Sequence, residues 1–98
     1  MYNPKNPDKI YKVYQIRSDV DLESFADGAL VLRLTDRRIF ELNFTARAIL
    51  KYTDGQRSVQ EVALALAKEY EIGLEEVVLD IKTFYDSFTV QKIVEEVR

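Results

Sequence analysis

The sequence predicts an α+β domain of winged-helix-like order, a three-stranded antiparallel meander followed by three helices. Three observations predict it. From Val20 to Leu42 apolar residues recur at every second position, and after Asn43 they recur every third or fourth. Two turn signals, Ala26-Asp27-Gly28 and Thr35-Asp36-Arg37, divide the first region into three short runs. In the second region Asn43 and Ser58 each stand where a helix needs a cap.

Taken in order, residues 1–19 read as an N-terminal arm. It is irregular over 1–10, which holds both prolines, and able to extend over "YKVYQI" (11–16), with no pairing partner legible. Residues 20–98 read as one domain. In "VDLESF" (20–25) Val20 and Leu22 alternate with acids. Asp27-Gly28 is suited to the positive φ of a tight hairpin. In "ALVLRL" (29–34) the leucines point one way, and Ala29, Val31 and Arg33 the other. "RIFEL" (38–42) ends the meander, with Phe40 and Leu42 on one face and Ile39 and Glu41 on the opposite one. Ile39 and Val31 are expected to share a face, either as scattered exposed apolar residues or as a contact patch.

Asn43 caps a helix over 44–52 that places Ala46, Ile49 and Leu50 on one side. Gly55 suits a positive-φ stop after it. "SVQE" (58–61) is a capping box, with Ser58 as cap and Glu61 reaching back, for a helix that runs to about Tyr70. A third helix starts near Leu74. At about 100° per residue, Val77, Ile81, Phe84 and Phe88 form one stripe, with Val78 and Tyr85 beside it as apolar surface, Lys82 further round and Asp80 on the other flank. Phe40, Leu42, Phe84 and Phe88 are expected in the core. Residues 89–98 fit either a longer helix or a docked tail.

Composition narrows function by what is missing. The 98 residues include no Cys, His or Trp. That removes thiolate nucleophiles, disulfides, the commonest general base and the commonest metal ligand. No pair of Asp, Glu, Lys or Tyr is placed for catalysis, so no enzyme activity and no cofactor are expected. Net charge is −3, unlike a nucleic-acid footprint. The N-terminus has no apolar signal core, and no run approaches the ~18 residues that span a bilayer. A cytoplasmic protein without membrane attachment is expected.

The residues also resemble a known family. "LNFTARAIL", "DGQRSVQEVALALAKEYEI" and "VVLDIKTFYDSF" are similar in order and spacing to the PqqD family. Leu42, Asn43, Thr45 and Ala46, then Asp54-Gly55, then Asp80-Ile81 carry the likeness over about residues 20–90. The family includes the pyrroloquinoline quinone biosynthesis peptide chaperone, prototype of the elements that recognise leader peptides of ribosomally made, post-translationally modified peptides. Where members often end the third helix with Gly-Leu-apolar, this chain has "FTVQKIV".

The resemblance implies a peptide-binding module. A precursor's leader peptide adds as an antiparallel strand to the third strand, in a groove closed by the third helix, and is presented to a modifying enzyme. That enzyme would be a radical S-adenosylmethionine maturase, a cyclase or a protease, and any iron–sulfur chemistry would be the enzyme's. Carried over by position, the edge is Arg38, Ile39, Phe40, Glu41 and Leu42, and the helix wall is Val78, Asp80, Ile81, Lys82 and Tyr85. Asp80 reads as a solvated charge or a contact for a basic leader residue. Arg37 and Arg38 read as edge protection or as contacts for an acidic one. Two other readings stand beside this one. A winged-helix DNA-binding regulator fits the topology, but the third helix carries Glu75, Glu76, Asp80 and Asp86 against Lys82 alone. A dimeric scaffold subunit would use the open edge and apolar flank to form a homodimer.

Overall fold

The computed structural model describes residues 8–97. The expected irregular stretch over 1–7 lies outside the described residues, as does Arg98. The chain runs α1 (Asp8–Tyr11), β1 (Val13–Ile16), β2 (Val20–Phe25), β3 (Gly28–Arg33), β4 (Arg38–Asn43), α2 (Phe44–Lys51), β5 (Asp54–Ser58), α3 (Val59–Tyr70), α4 (Leu74–Val90) and β6 (Val94–Val97). The α+β class and the meander of β2, β3 and β4 are as expected. A second antiparallel sheet, in the order β5-β1-β6, is added to them.

In the meander Leu22 lies opposite Val31, and Val31 opposite Phe40. Ala29 and Val31 are fully buried, so this face lies on the helices. Ile39 pairs with Leu32 on the other face and is 68% exposed. The expectation that Ile39 and Val31 share a face is therefore wrong. Pairing sets faces across strands, and Phe40 is the residue in register with Val31. On this outer face Leu30, Leu32 and Ile39 alternate with Asp21, Glu23 and Glu41. Gly28 is also not at positive φ. A Cβ there would overlap the carbonyl oxygen of Leu42, so the glycine permits close approach of β3 to the end of β4.

Both caps form as read. Asn43 Oδ1 accepts from the Ala46 amide at 2.9 Å. The Glu61 amide donates to Ser58 Oγ at 3.2 Å, and the Ser58 amide to Glu61 Oε1 at 3.0 Å. Val62, Ile81 and Phe88 meet Val31, Ile49 and Leu50 in the core. Phe40, Leu42 and Phe84 are half-buried at its margin rather than within it.

Arg33 ties the meander to α4. Its guanidinium donates to Asp36 at 2.8 and 2.5 Å and to the carbonyl of Gln91 at the end of α4, and it lies over the Phe40 ring at 5.3 Å. Arginine is suited to this because its fork serves a carboxylate and a helix C-terminus together. The pair holds the Asp36 carboxyl down to about 2. A carboxyl lowered on folding contributes stability above its unfolded pKa, about 3.9, and loses it as pH falls through the folded value. Between pH 4 and pH 2, urea midpoints are expected to fall more steeply for the native chain than for Asp36→Asn; parallel curves would contradict this account of the pair.

The second sheet draws on segments that local pattern did not mark as strands. "DGQRS" reads as a turn and capping segment, yet β5 pairs there with β1; Gly55 has the expected positive φ, +79°, but within this strand, while the helix stops earlier, at Tyr52. Val13 lies opposite Ser58 on one side and Val97 on the other. The open choice at 89–98 is resolved as both alternatives in sequence. Helix α4 continues to Val90, turns, and β6 then docks against β1. Lys92, at φ 59°, makes that turn, with the Ile93 amide donating to the Phe88 carbonyl at 2.9 Å. A lysine thus occupies the left-handed position after the helix that glycine fills without strain.

Candidate functional site

Strand β4 is an edge of its sheet, bonded to β3 on one side only. Its residues alternate between two environments. Arg38, Phe40 and Leu42 share the face on which Val31 is buried, while Ile39 and Glu41 are exposed on the other. Helix α4 runs antiparallel to β4. Its first half meets Phe44 and Thr45 just beyond the end of β4, and its last residues, Val90 to Lys92, approach Arg38 and Phe40 at the start. The half-buried Phe40 ring lies beside these last residues, while Phe84 packs on Phe88 at the core margin.

Beyond the end of β4, between α2, α3 and α4, lies a cavity of about 260 Å³ among Phe44, Ile49, Tyr70, Val77, Asp80 and Ile81. The Phe44 and Tyr70 rings meet edge to face, with centroids 5.6 Å apart. Thr45 and Asp80 are its polar members. The volume is below the ~300–1,000 Å³ of small-molecule sites. It suits a side chain of a larger ligand.

The structure divides the expected helix wall in two. Asp80 and Ile81 line this cavity, with Asp80 exposed. Val78, Lys82 and Tyr85 lie round the helix from it, and Lys82 and Tyr85 face Lys12 and Tyr14 instead. Tyr85 and Val78, expected as apolar surface, are 2% and 7% exposed. Strand β1 covers the tyrosine. Tyr14 stacks on Tyr85 with centroids 4.4 Å apart and planes 13° from parallel. The Tyr85 hydroxyl shares a 2.7 Å hydrogen bond with Thr53 Oγ1, and burial pushes the phenol up to about 12. The tyrosine is thus neutral near pH 7 and bound within the core. In its place the cavity gains Phe44 and Val77. Val77 is legible as part of the α4 stripe, where it reads as core. For Phe44 the signal was its position immediately after the capping Asn43.

Among the described residues no group of His, Cys, Asp and Glu is arranged to hold a metal ion, and no helix is long and apolar enough to cross a membrane. Comparison with known proteins agrees with the fold. The structure of TbiB1 in complex with the TbiA(β) leader peptide superposes with a TM-score of 0.74 at 20% identity, over 83% of this chain and 94% of that one. The PqqD truncation of Methylobacterium extorquens PqqCD, a recognition element for ribosomally synthesised and post-translationally modified peptides, gives 0.70 at 24% identity, over 85% and 88%. In sequence, the chain is 30% identical over 71 residues to the PqqA binding protein of Rhizobium meliloti (strain 1021), covering 72% of this chain and 71% of that protein. The family Coenzyme PQQ synthesis protein D (PqqD) matches residues 28–97, which take in β3 to β6 and the three long helices. By this match and that relative, the chain belongs to the PqqD family.

Proposed function

We propose that this chain is a non-catalytic peptide-binding module that captures the leader of a precursor peptide on β4 and presents the remainder to a modifying enzyme. The observation that carries the reading is an unpaired edge strand that leads at Phe44 into an apolar cavity of side-chain size. Such an edge offers unpaired N–H and C=O groups in a row, which an extended peptide satisfies. Ordering the peptide costs about 1–2 kcal/mol per residue, which edge hydrogen bonds of about 0.5–1.5 kcal/mol each roughly offset. Burial of an anchor side chain in the cavity then decides affinity, at about 25 cal/mol per Å² of apolar surface. The binding surface is Arg38–Leu42 on the strand, with Asp80, Ile81, Val77 and Phe44 at the cavity.

Family membership and the names of the relatives support a leader peptide as the ligand. The modifying enzyme belongs to the classes that act on such precursors: a radical S-adenosylmethionine maturase, a cyclase or a protease. DNA binding is disfavoured by the acids along α4. A homodimer through β4 would compete with the peptide for the same edge. The test is a backbone amide NMR titration with the leader of a precursor encoded beside a modifying enzyme. Shifts are expected at residues 38–43 and at Val77, Asp80 and Ile81, with Lys82 and Tyr85 little moved. Saturable shifts centred on β2 or β6 would overturn the β4 assignment.

A further inference from the structure

Because β4 and α4 run antiparallel, the two ends of the groove collect different charges. At the start of β4 stand Arg38 and Lys92. The neighbouring Arg33 is already neutralised by Asp36. At the far end Asp80 lines the cavity, and Glu76 stands one helical turn before it on the same flank. Among the described residues none of Arg38, Lys92, Glu76 and Asp80 makes an ion pair with another side chain, and Arg38, Lys92, Glu76 and Asp80 are all exposed. Between these ends the inner face of β4 carries Phe40 and Leu42, both half-buried. Lys92 adds a second, independent observation. It holds a left-handed backbone, φ 59°, that costs a lysine energy and a glycine nothing, and its cationic side chain borders the groove.

We infer that the groove selects an extended peptide of fixed charge order: a basic residue first, beside an apolar anchor, and an acidic residue about four positions later. The inference rests on the strand-addition reading above. An added antiparallel strand places its N-terminal half beside Leu42, Asn43 and Asp80, and its C-terminal half beside Arg38 and Lys92. Arg38 and Leu42 are four residues apart on one face of β4, about 13 Å along a strand. Peptide positions of the same spacing therefore face the two charged ends together. A peptide with the reverse order meets like charge at both ends.

The experiment is selection from a displayed library of random peptides of about twelve residues, long enough to pair along all of β4, on the immobilised full chain. Enriched peptides are expected to carry Lys or Arg near the apolar anchor and Asp or Glu about four residues on, about three- to fivefold over the reverse order for exposed pairs of this kind. The double variant Asp80→Lys/Arg38→Glu, changed only at exposed positions, leaves Glu76 and Lys92 to balance the new charge at each end and is expected to lose the charge order. Lys92→Gly is expected to keep the basic preference and weaken the acidic one. Enrichment without charge order on the native chain, or the native order kept on the double variant, would overturn the inference and leave peptide capture standing. No enrichment above the bare support would overturn both.

Discussion

Tyr85→Ala is expected to lower the free energy of unfolding by about 3–5 kcal/mol, the usual cost of removing a buried aromatic ring. The ring is 2% exposed, stacked on Tyr14, and bonded to Thr53. Its removal leaves a cavity between α4 and β1 and takes one partner from the Thr53 hydroxyl, which keeps its 2.8 Å bond to the Ile49 carbonyl. Tyr85→Phe keeps the stack and loses only the hydroxyl bond, about 1 kcal/mol. Urea unfolding at neutral pH separates the two. The ring also lies on the side of α4 away from the groove, so the folded fraction of either variant should bind a leader with nearly native affinity. An alanine variant of near-native stability that binds weakly would return Tyr85 to the binding surface.

Ile39→Pro is expected to reduce leader affinity at least about tenfold, while Ile39→Ala leaves it within about threefold. The side chain is exposed on the outer face of the sheet, away from α4, so its truncation removes little. Proline removes the backbone N–H and restricts an edge that, on the proposed mechanism, pairs through its main chain. The comparison therefore isolates backbone pairing from side-chain contact. Circular dichroism establishes that the proline variant is folded, and fluorescence anisotropy with a labelled leader reports affinity. A folded proline variant with native affinity would end the strand-addition mechanism.

Local chemistry made much of this fold readable, and long-range pairing hid the rest. Asn43, Ser58 and Glu61 act within three residues of themselves, so their caps were visible in the sequence. The stripe through Val77, Ile81 and Phe88 was equally plain, because helical periodicity reports a buried face directly. Tyr85 and Val78 were misread because the element that covers the tyrosine is distant in sequence. Strand β1 is only four residues long, and its partners are β5 and β6. "DGQRS" contains no strong strand former, and tertiary pairing overrides its propensity. The run Val90, Ile93, Val94, Val97 satisfies a helical spacing as well as an extended one, and Lys92 breaks it without the glycine that would have signalled the turn. Within the site, the edge strand was legible from the meander. The cavity was not, since it joins the start of α2 to the first half of α4.

The pairing of β1 with β6 sets Val13 opposite Val97, so the first and last described strands are immediate neighbours. Tyr14 sets β1 against the Tyr85 side of α4, away from the cavity, and β6 pairs along β1. A polypeptide attached after β6 would therefore leave beside the start of β1, on the sheet that does not contain β4. On the proposed function, an enzyme joined there would leave the β4 edge clear. Tether length would then set how far from a catalytic centre a captured peptide is held.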